Sequence, residues 1–449
     1  MAKTPLIAIV QFPGLNTEYE TRRMINECGM TAEFLRWNDD PKKIAKYDGF
    51  VFPGGFSYED RGRAGLVSAL DPVMEYFKKE TEKGKPLLGI CNGAQMVVET
   101  GMVPGANGYP LAMALAHNKR IKNGLVLGTG YYNDWVYMKH VAPKGRTAFT
   151  SHIGEGEILY LPVAHGEGRF TTVIPDLIDQ LIGNSQTVFR YCDRDGKFSH
   201  EFPVNPNGAM YNLAAVCNVN GNVMSTMPHH ERSKIGPKFF ESMRDYILGA
   251  ERPSIKTKKL VVKEPDPMPS GEYKPASDSI QFFVELIITD NEAETIESTI
   301  AHHGFENVHL SRYTHFEISC KGKPDVKKLG KQLVQSGVLL NTNKESVAMK
   351  DGKNLLQYDK GRGDFSPMSM PEMTGVMLLV REKQDFVGMS KTNTLRDRLH
   401  MDDVNEVKSG VVWHISFDTK NQKEQERLFK KLMELHVFHN PHSQDAFLI

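Results

Sequence analysis

The chain has 449 residues, too many for one ordinary hydrophobic core, so its length predicts two or three domains. Fifty-five Lys and Arg balance 55 Asp and Glu, which removes any global field that would favour nucleic acid or an anionic membrane. Five scattered cysteines without CxxC spacing argue against a zinc knuckle or disulfide framework, and no apolar run is long enough to span a bilayer. A cytoplasmic location is the resulting expectation.

The first part alternates short β-rich runs with helical patterns. LIAIVQF (6–12), TAEFLRW (31–37), YDGFVFPGG (47–55) and KPLLGI (85–90) read as strands, and the polar TEYETRRMINECG as a helix. Strand–helix alternation with glycine-rich turns predicts a mostly parallel α/β sheet whose ligands bind at the carboxyl ends of its strands. PGGFSYED (53–60) and CNGAQ lie at two such ends. From about 120 to 230, short strands and turns predict hairpins at the sheet edge, and FFESMRDYILG (239–249) a closing helix. Residues 251–278, rich in Pro, Lys and Glu, read as a linker or an extended wrapping segment.

Beyond it, the order strand, helix, strand, helix recurs. FFVELIITD and GVMLLVREKQ open the two copies, and the echoes FEIS/WHIS and LLNTNKE/FHNPHSQ close them. Two small β-α-β-β-α units are predicted over 279–348 and 375–449, with 349–374 as a second linker.

Chemistry concentrates around Cys91. A lone cysteine is ordinarily a core residue. Here Gly89 and Gly93 flank it between a strand and a helix, the pattern of a nucleophile elbow. A helix N-terminus favours the thiolate, and the Asn92 N–H would face an oxyanion. Such a thiol needs a base and an orienting group. In MPHHER (227–232), His229 and Glu231 are two apart and project to one side of an extended chain, with His230 opposite. The paired Gly54 and Gly55 would let a second backbone amide approach the reacting carbonyl. His165 and Glu167 repeat the His-x-Glu spacing and form a rival pair.

GICNGAQ, PGGFSYED, VAHGEGRF (163–170), FRYCDRDG (189–196), NPNGAMYNLAAVCN (205–218) and MPHHER together resemble the class I glutamine amidotransferase family. The closest resemblance is to its glutaminase subunits of phosphoribosylformylglycinamidine synthase (PurQ type), over roughly 1–250. The resemblance implies a flavodoxin-like domain in which Cys91 is the nucleophile, His229 the acid/base and Glu231 its orienter. Gly55 and Asn92 would donate backbone amides, Gly54 would line the substrate site, and Gln95 would lie near the bound glutamine. The two C-terminal copies resemble the small PurS-type bridging subunit. The implied partner is a PurL-type synthase subunit that would receive ammonia; ATP and magnesium belong to that partner, with no cofactor or metal on this chain. Service to another amidotransferase, or a non-catalytic glutamine sensor, are the alternatives. Two departures stand out: His230 where the family has proline, and Glu59 where its loop has a third glycine.

Overall fold

The computed structural model describes residues 3–250, 255–322, 324–352, 354–368 and 374–449. The chain forms two compact units, Met1–Pro265 and Asp266–Ile449. Among the described residues, no helix is long and apolar enough to cross a membrane.

The first unit is built on nine strands. Their order across the sheet is Thr31–Arg36, Leu6–Gln11, Gly49–Phe52, Leu87–Ile90, Val223–Thr226, Leu213–Cys217, Phe189–Cys192, Tyr132–His140 and Ile158–His165. The first five run parallel, and the remaining four join them antiparallel. The parallel strands are short runs of Ile, Val, Leu and Phe because helices cover both of their faces. Ile7, Ile9, Phe50, Phe52, Leu88 and Ile90 are fully buried, and Phe77 of the Met74–Glu82 helix packs edge-on against Phe50 and Phe52. The closing helix spans Gly236–Ile247, buries Phe239, Phe240 and Met243, and packs beside the Glu18–Glu27 helix. The hairpin-rich stretch thus supplies the antiparallel half of the main sheet, together with a small hairpin of Lys119–Lys122 and Leu125–Thr129.

The segment from 255 to 264 wraps on this unit. Asn184 bonds both the N–H and the C=O of Lys258, Gln180 does the same for Val261, and Leu260 is buried. Residues 266–278 belong to the second unit, where Glu272 bridges to Leu448. Positions 251–254 of the expected linker lie outside the described residues.

The second unit is an eight-stranded sheet. Its centre is the antiparallel seam of Val308–Cys320 with Val404–Phe417. Outward from that seam, the first copy adds Ser279–Leu286 and Glu345–Asp351, and the second adds Val376–Glu382 and Gln444–Leu448. Thr314 faces Val411 at the middle, with Arg312 facing Trp413 on one side and Phe316 facing Ser409 on the other. Phe316 and Trp413, which open the FEIS and WHIS echoes, therefore sit at symmetric places about a pseudo-twofold axis. The closing turns repeat as well. The Asn341 N–H donates to Glu345 Oε2 at 2.5 Å and that of Asn440 to Gln444 Oε1 at 2.9 Å. In each turn the asparagine side chain caps the amide two residues on, at 3.0 Å.

The described residues 349–352 and 354–367 are not a linker. Asn354–Asp359 and Asp364–Pro367 extend the sheet as a meander from Glu345–Asp351, and Met349, Leu356 and Phe365 enter the core. Their period-two pattern outweighs the Gly, Pro and Met content that suggested a connector. Positions 353 and 369–373 of that stretch lie outside the described residues.

Candidate active site

Three neighbouring parallel strands, Gly49–Phe52, Leu87–Ile90 and Val223–Thr226, end on the same edge of the sheet. Each is followed by one predicted motif: Gly54 and Gly55, then Cys91, then His229 and Glu231. Parallel register alone thus gathers residues far apart in sequence.

Cys91 sits on the turn between its strand and the Asn92–Glu99 helix with φ 52° and ψ −106°, a strained conformation for a residue with a side chain. Its N–H donates to the Thr226 carbonyl at 2.9 Å, and its sulfur lies 3.5 Å from the Ala164 carbonyl oxygen. The flanking glycine is sterically required: a Cβ on Gly93 would stand 2.0 Å from the Phe52 carbonyl oxygen.

His229 Nδ1 donates to Glu231 Oε1 at 2.6 Å, with both side chains buried. The His229 backbone N–H donates to the Pro162 carbonyl, which fixes the turn against the Ile158–His165 strand. Burial opposes charge on this imidazole. The Glu231 carboxylate and then the Cys91 sulfur outweigh it and hold the pKa above the usual histidine range. Nε2 has no nitrogen or oxygen partner among the described residues, so it is the ring position open to a reacting proton. Gly54 joins the two groups, since a Cβ there would lie 2.7 Å from His229 Cε1 and 3.4 Å from Cys91 Cβ.

The backbone donors divide unequally. The Gly54 N–H is taken by Thr17 Oγ1 at 2.8 Å, so Gly54 makes room for the ring and does not donate to a ligand. Gly55 faces Leu15 in a bridge whose hydrogen bonds run through Gly14, Asn16, Gly54 and Phe56. Its own N–H, like that of Asn92 in the first helical turn, has no partner among the described residues. These two amides can hold an oxyanion.

Gln95 is spent on the protein: Oε1 accepts from Asn92 Nδ2 at 2.8 Å, and Nε2 donates to the Glu167 carbonyl at 2.5 Å. Asn92 Nδ2 also donates to Asp60 Oδ1 at 3.1 Å, while its Oδ1 accepts the Ser57 N–H at 3.0 Å. Burial and the nearby Glu167 push the Asp60 carboxyl up to about 7, against the opposing Asn92 bond. This Asp60–Asn92–Gln95 chain braces the elbow, and no periodicity or spacing in the sequence announced it.

The rival pair separates. His165 Nδ1 donates to Asn118 Oδ1 at 3.2 Å, while Glu167 faces His117 and the Ala64 N–H. Burial, with repulsion from His229, lowers the His165 pKa to about 3 and keeps the ring neutral. Glu59 occupies the left-handed region at φ 59° between Tyr58 and Asp60, also left-handed. Its side chain is exposed and pairs with Arg61, so the departure adds no bulk to the site. Among the described residues, no group of three or more His, Cys, Asp and Glu could hold a metal ion.

Relatives share this half of the chain. It is 42% identical over 257 residues to "Phosphoribosylformylglycinamidine synthase subunit PurQ" of Methanothrix thermoacetophila, covering 54% of this chain and 97% of that one. The subunit of the same name from Methanocaldococcus jannaschii is 37% identical over 247 residues, with the same coverage. A solved structure, "Structure of PurLQS from Thermotoga maritima", aligns over 55% of this chain and 100% of the matched one, at 28% identity and a TM-score of 0.43. Residues 4–238, more than half of the chain, match the CobB/CobQ-like glutamine amidotransferase domain, and the chain belongs to that family.

Proposed function

We propose that the chain is the glutaminase component of a phosphoribosylformylglycinamidine synthase, with Cys91 as nucleophile, His229 as acid and base, and Glu231 as its orienter. One observation carries the reading: a cysteine on a strained elbow faces an imidazole whose other nitrogen is pinned 2.6 Å from a buried carboxylate. The thiolate attacks the glutamine side-chain carbonyl carbon; the C–S bond forms as the π pair moves to oxygen. The Gly55 and Asn92 amides hold that oxyanion. His229 Nε2–H gives its proton to the amide nitrogen, the C–N bond breaks and ammonia leaves. The same nitrogen then takes a proton from water, which attacks the thioester; the C–S bond breaks and glutamate departs.

Ammonia passes to a PurL-type partner subunit, which binds ATP, magnesium and formylglycinamide ribonucleotide. The duplicated second unit would tether or orient that partner. The test compares wild type with Cys91→Ala, each with the synthase subunit. Glutamine-dependent formylglycinamidine formation should vanish while ammonia-dependent formation survives. Retention of the glutamine reaction in Cys91→Ala overturns the assignment.

A further inference from the structure

His230 lies between the two groups of the His–Glu pair, yet it touches neither reactant. It is fully buried. Its ring stacks on Phe239 of the closing helix, with centroids 3.7 Å apart and planes at 20°. Its Nε2 lies 3.1 Å from Thr226 Oγ1. Thr226 is the residue whose carbonyl accepts the Cys91 N–H. One residue is therefore held at its side chain by the His229–Glu231 turn and at its carbonyl by the nucleophile's own amide. The His230 carbonyl is fixed too, by the N–H and the hydroxyl of Ser233, and a Cβ on Gly236 would come within 2.4 Å of it. Burial and the neighbouring His229 lower the His230 pKa to about 3, so the ring stays neutral and adds no charge beside the pair.

We propose that His230 is a positioning residue: its imidazole, clamped between Phe239 and Thr226, sets the distance between the His229–Glu231 turn and the Cys91 elbow. The backbone shows what could substitute for it. His230 is the first residue of a short 3₁₀ turn, follows an extended His229 (φ −88°, ψ 97°), and has an N–H without a partner among the described residues. A proline ring satisfies all three conditions and would stiffen the same turn without side-chain contacts.

The proposal rests on the glutaminase reading only for its kinetic readout. The full chain, with its synthase subunit, is compared as wild type, His230→Ala and His230→Pro. The steady-state measurement is glutamine hydrolysis. Site-resolved mass spectrometry follows iodoacetamide alkylation of Cys91 at pH 7, a readout independent of glutamine. Loss of the clamp lets the turn drift, and about 1 Å of misplacement costs about 10²-fold in rate. His230→Ala should lower kcat by about that factor with KM for glutamine nearly unchanged, and should slow Cys91 alkylation. His230→Pro should recover most of both. Wild-type kcat and alkylation in His230→Ala overturn the proposal, as does a His230→Pro variant that folds but behaves like His230→Ala. If alkylation follows the expected order while glutamine is not hydrolysed even by wild type, the positioning role stands and the glutaminase reading falls.

Discussion

Gly54→Ala is the sharpest perturbation of the active-site geometry. Gly54 lies outside the positive-φ region, so alanine meets no left-handed strain there. The new methyl would stand 2.7 Å from His229 Cε1. Carbon atoms settle about 3.5–4.0 Å apart, so the ring must retreat by about 1 Å. Glu231 sits 2.6 Å from Nδ1 within a buried pair, which leaves the ring little room to yield. Misplacement on that scale costs about 10²-fold, or about 2.7 kcal/mol of transition-state stabilisation. The assay is glutamate formation with the synthase subunit present, and ammonia-dependent formylglycinamidine formation serves as the control. We expect the first to fall by about that factor and the second to stay unchanged, with folding stability lowered by about 1–3 kcal/mol, the cost of overpacking a buried site. Full glutaminase activity in a folded Gly54→Ala would refute the claim that this glycine sets the imidazole against the thiol.

Glu231→Gln removes the carboxylate that favours charge on His229, so kcat for glutamine should fall by at least about 10²-fold and the pH–rate profile should shift to lower pH. Acid stability tests His230 separately. A histidine held near 3 in the fold but near 6.5 when unfolded leaves the unfolded chain binding more protons in that window. Stability is then lost as pH falls below about 6.5, by about 1.4 kcal/mol per pH unit. His230→Phe should therefore make urea stability fall by about 2 kcal/mol less between pH 7 and pH 5 than in wild type; an unchanged difference would contradict it. Arg63 and Glu99 form a buried bidentate pair with contacts of 3.3 and 2.9 Å. Arg63→Met should cost about 3–5 kcal/mol in denaturant unfolding, whereas Arg63→Met with Glu99→Leu should come close to wild type.

The elbow was legible because its glycines encode contacts that follow from local geometry. A Cβ on Gly89 would stand 2.6 Å from the Gly93 carbonyl oxygen across the same turn, and such a close approach leaves a mark in sequence. The His229–Glu231 pair was legible from its spacing, though not for the reason an extended segment gives: only His229 is extended, and the 3₁₀ turn His230–Arg232 brings the carboxylate to Nδ1. Roles that depend on distant partners were not. Thr17 decides which of the two glycines keeps a free amide, from 37 positions away. Gln95 reads as a substrate neighbour until Glu167 and Asn92 are seen to occupy both ends of its amide. Asp60 reads as one more polar residue of a glycine-rich loop, because nothing local reports its burial beside Glu167. The strands within 349–374 read as a connector because Asn354–Asp359 and Asp364–Pro367 are so short that the Gly, Pro and Met residues around them dilute their period-two pattern.

The seam at the centre of the second unit has a further consequence. Val308–Cys320 and Val404–Phe417 pair along their length within one polypeptide, so the two copies meet at an effective concentration set by the chain between them. Their pairing is unimolecular and indifferent to dilution. Any surface that spans both halves of the pseudo-twofold is therefore as complete at nanomolar protein as at millimolar. The two halves carry different side chains, such as Arg312 where the other has Ser409, so this surface can also present two distinct faces, which an assembly of identical copies could not.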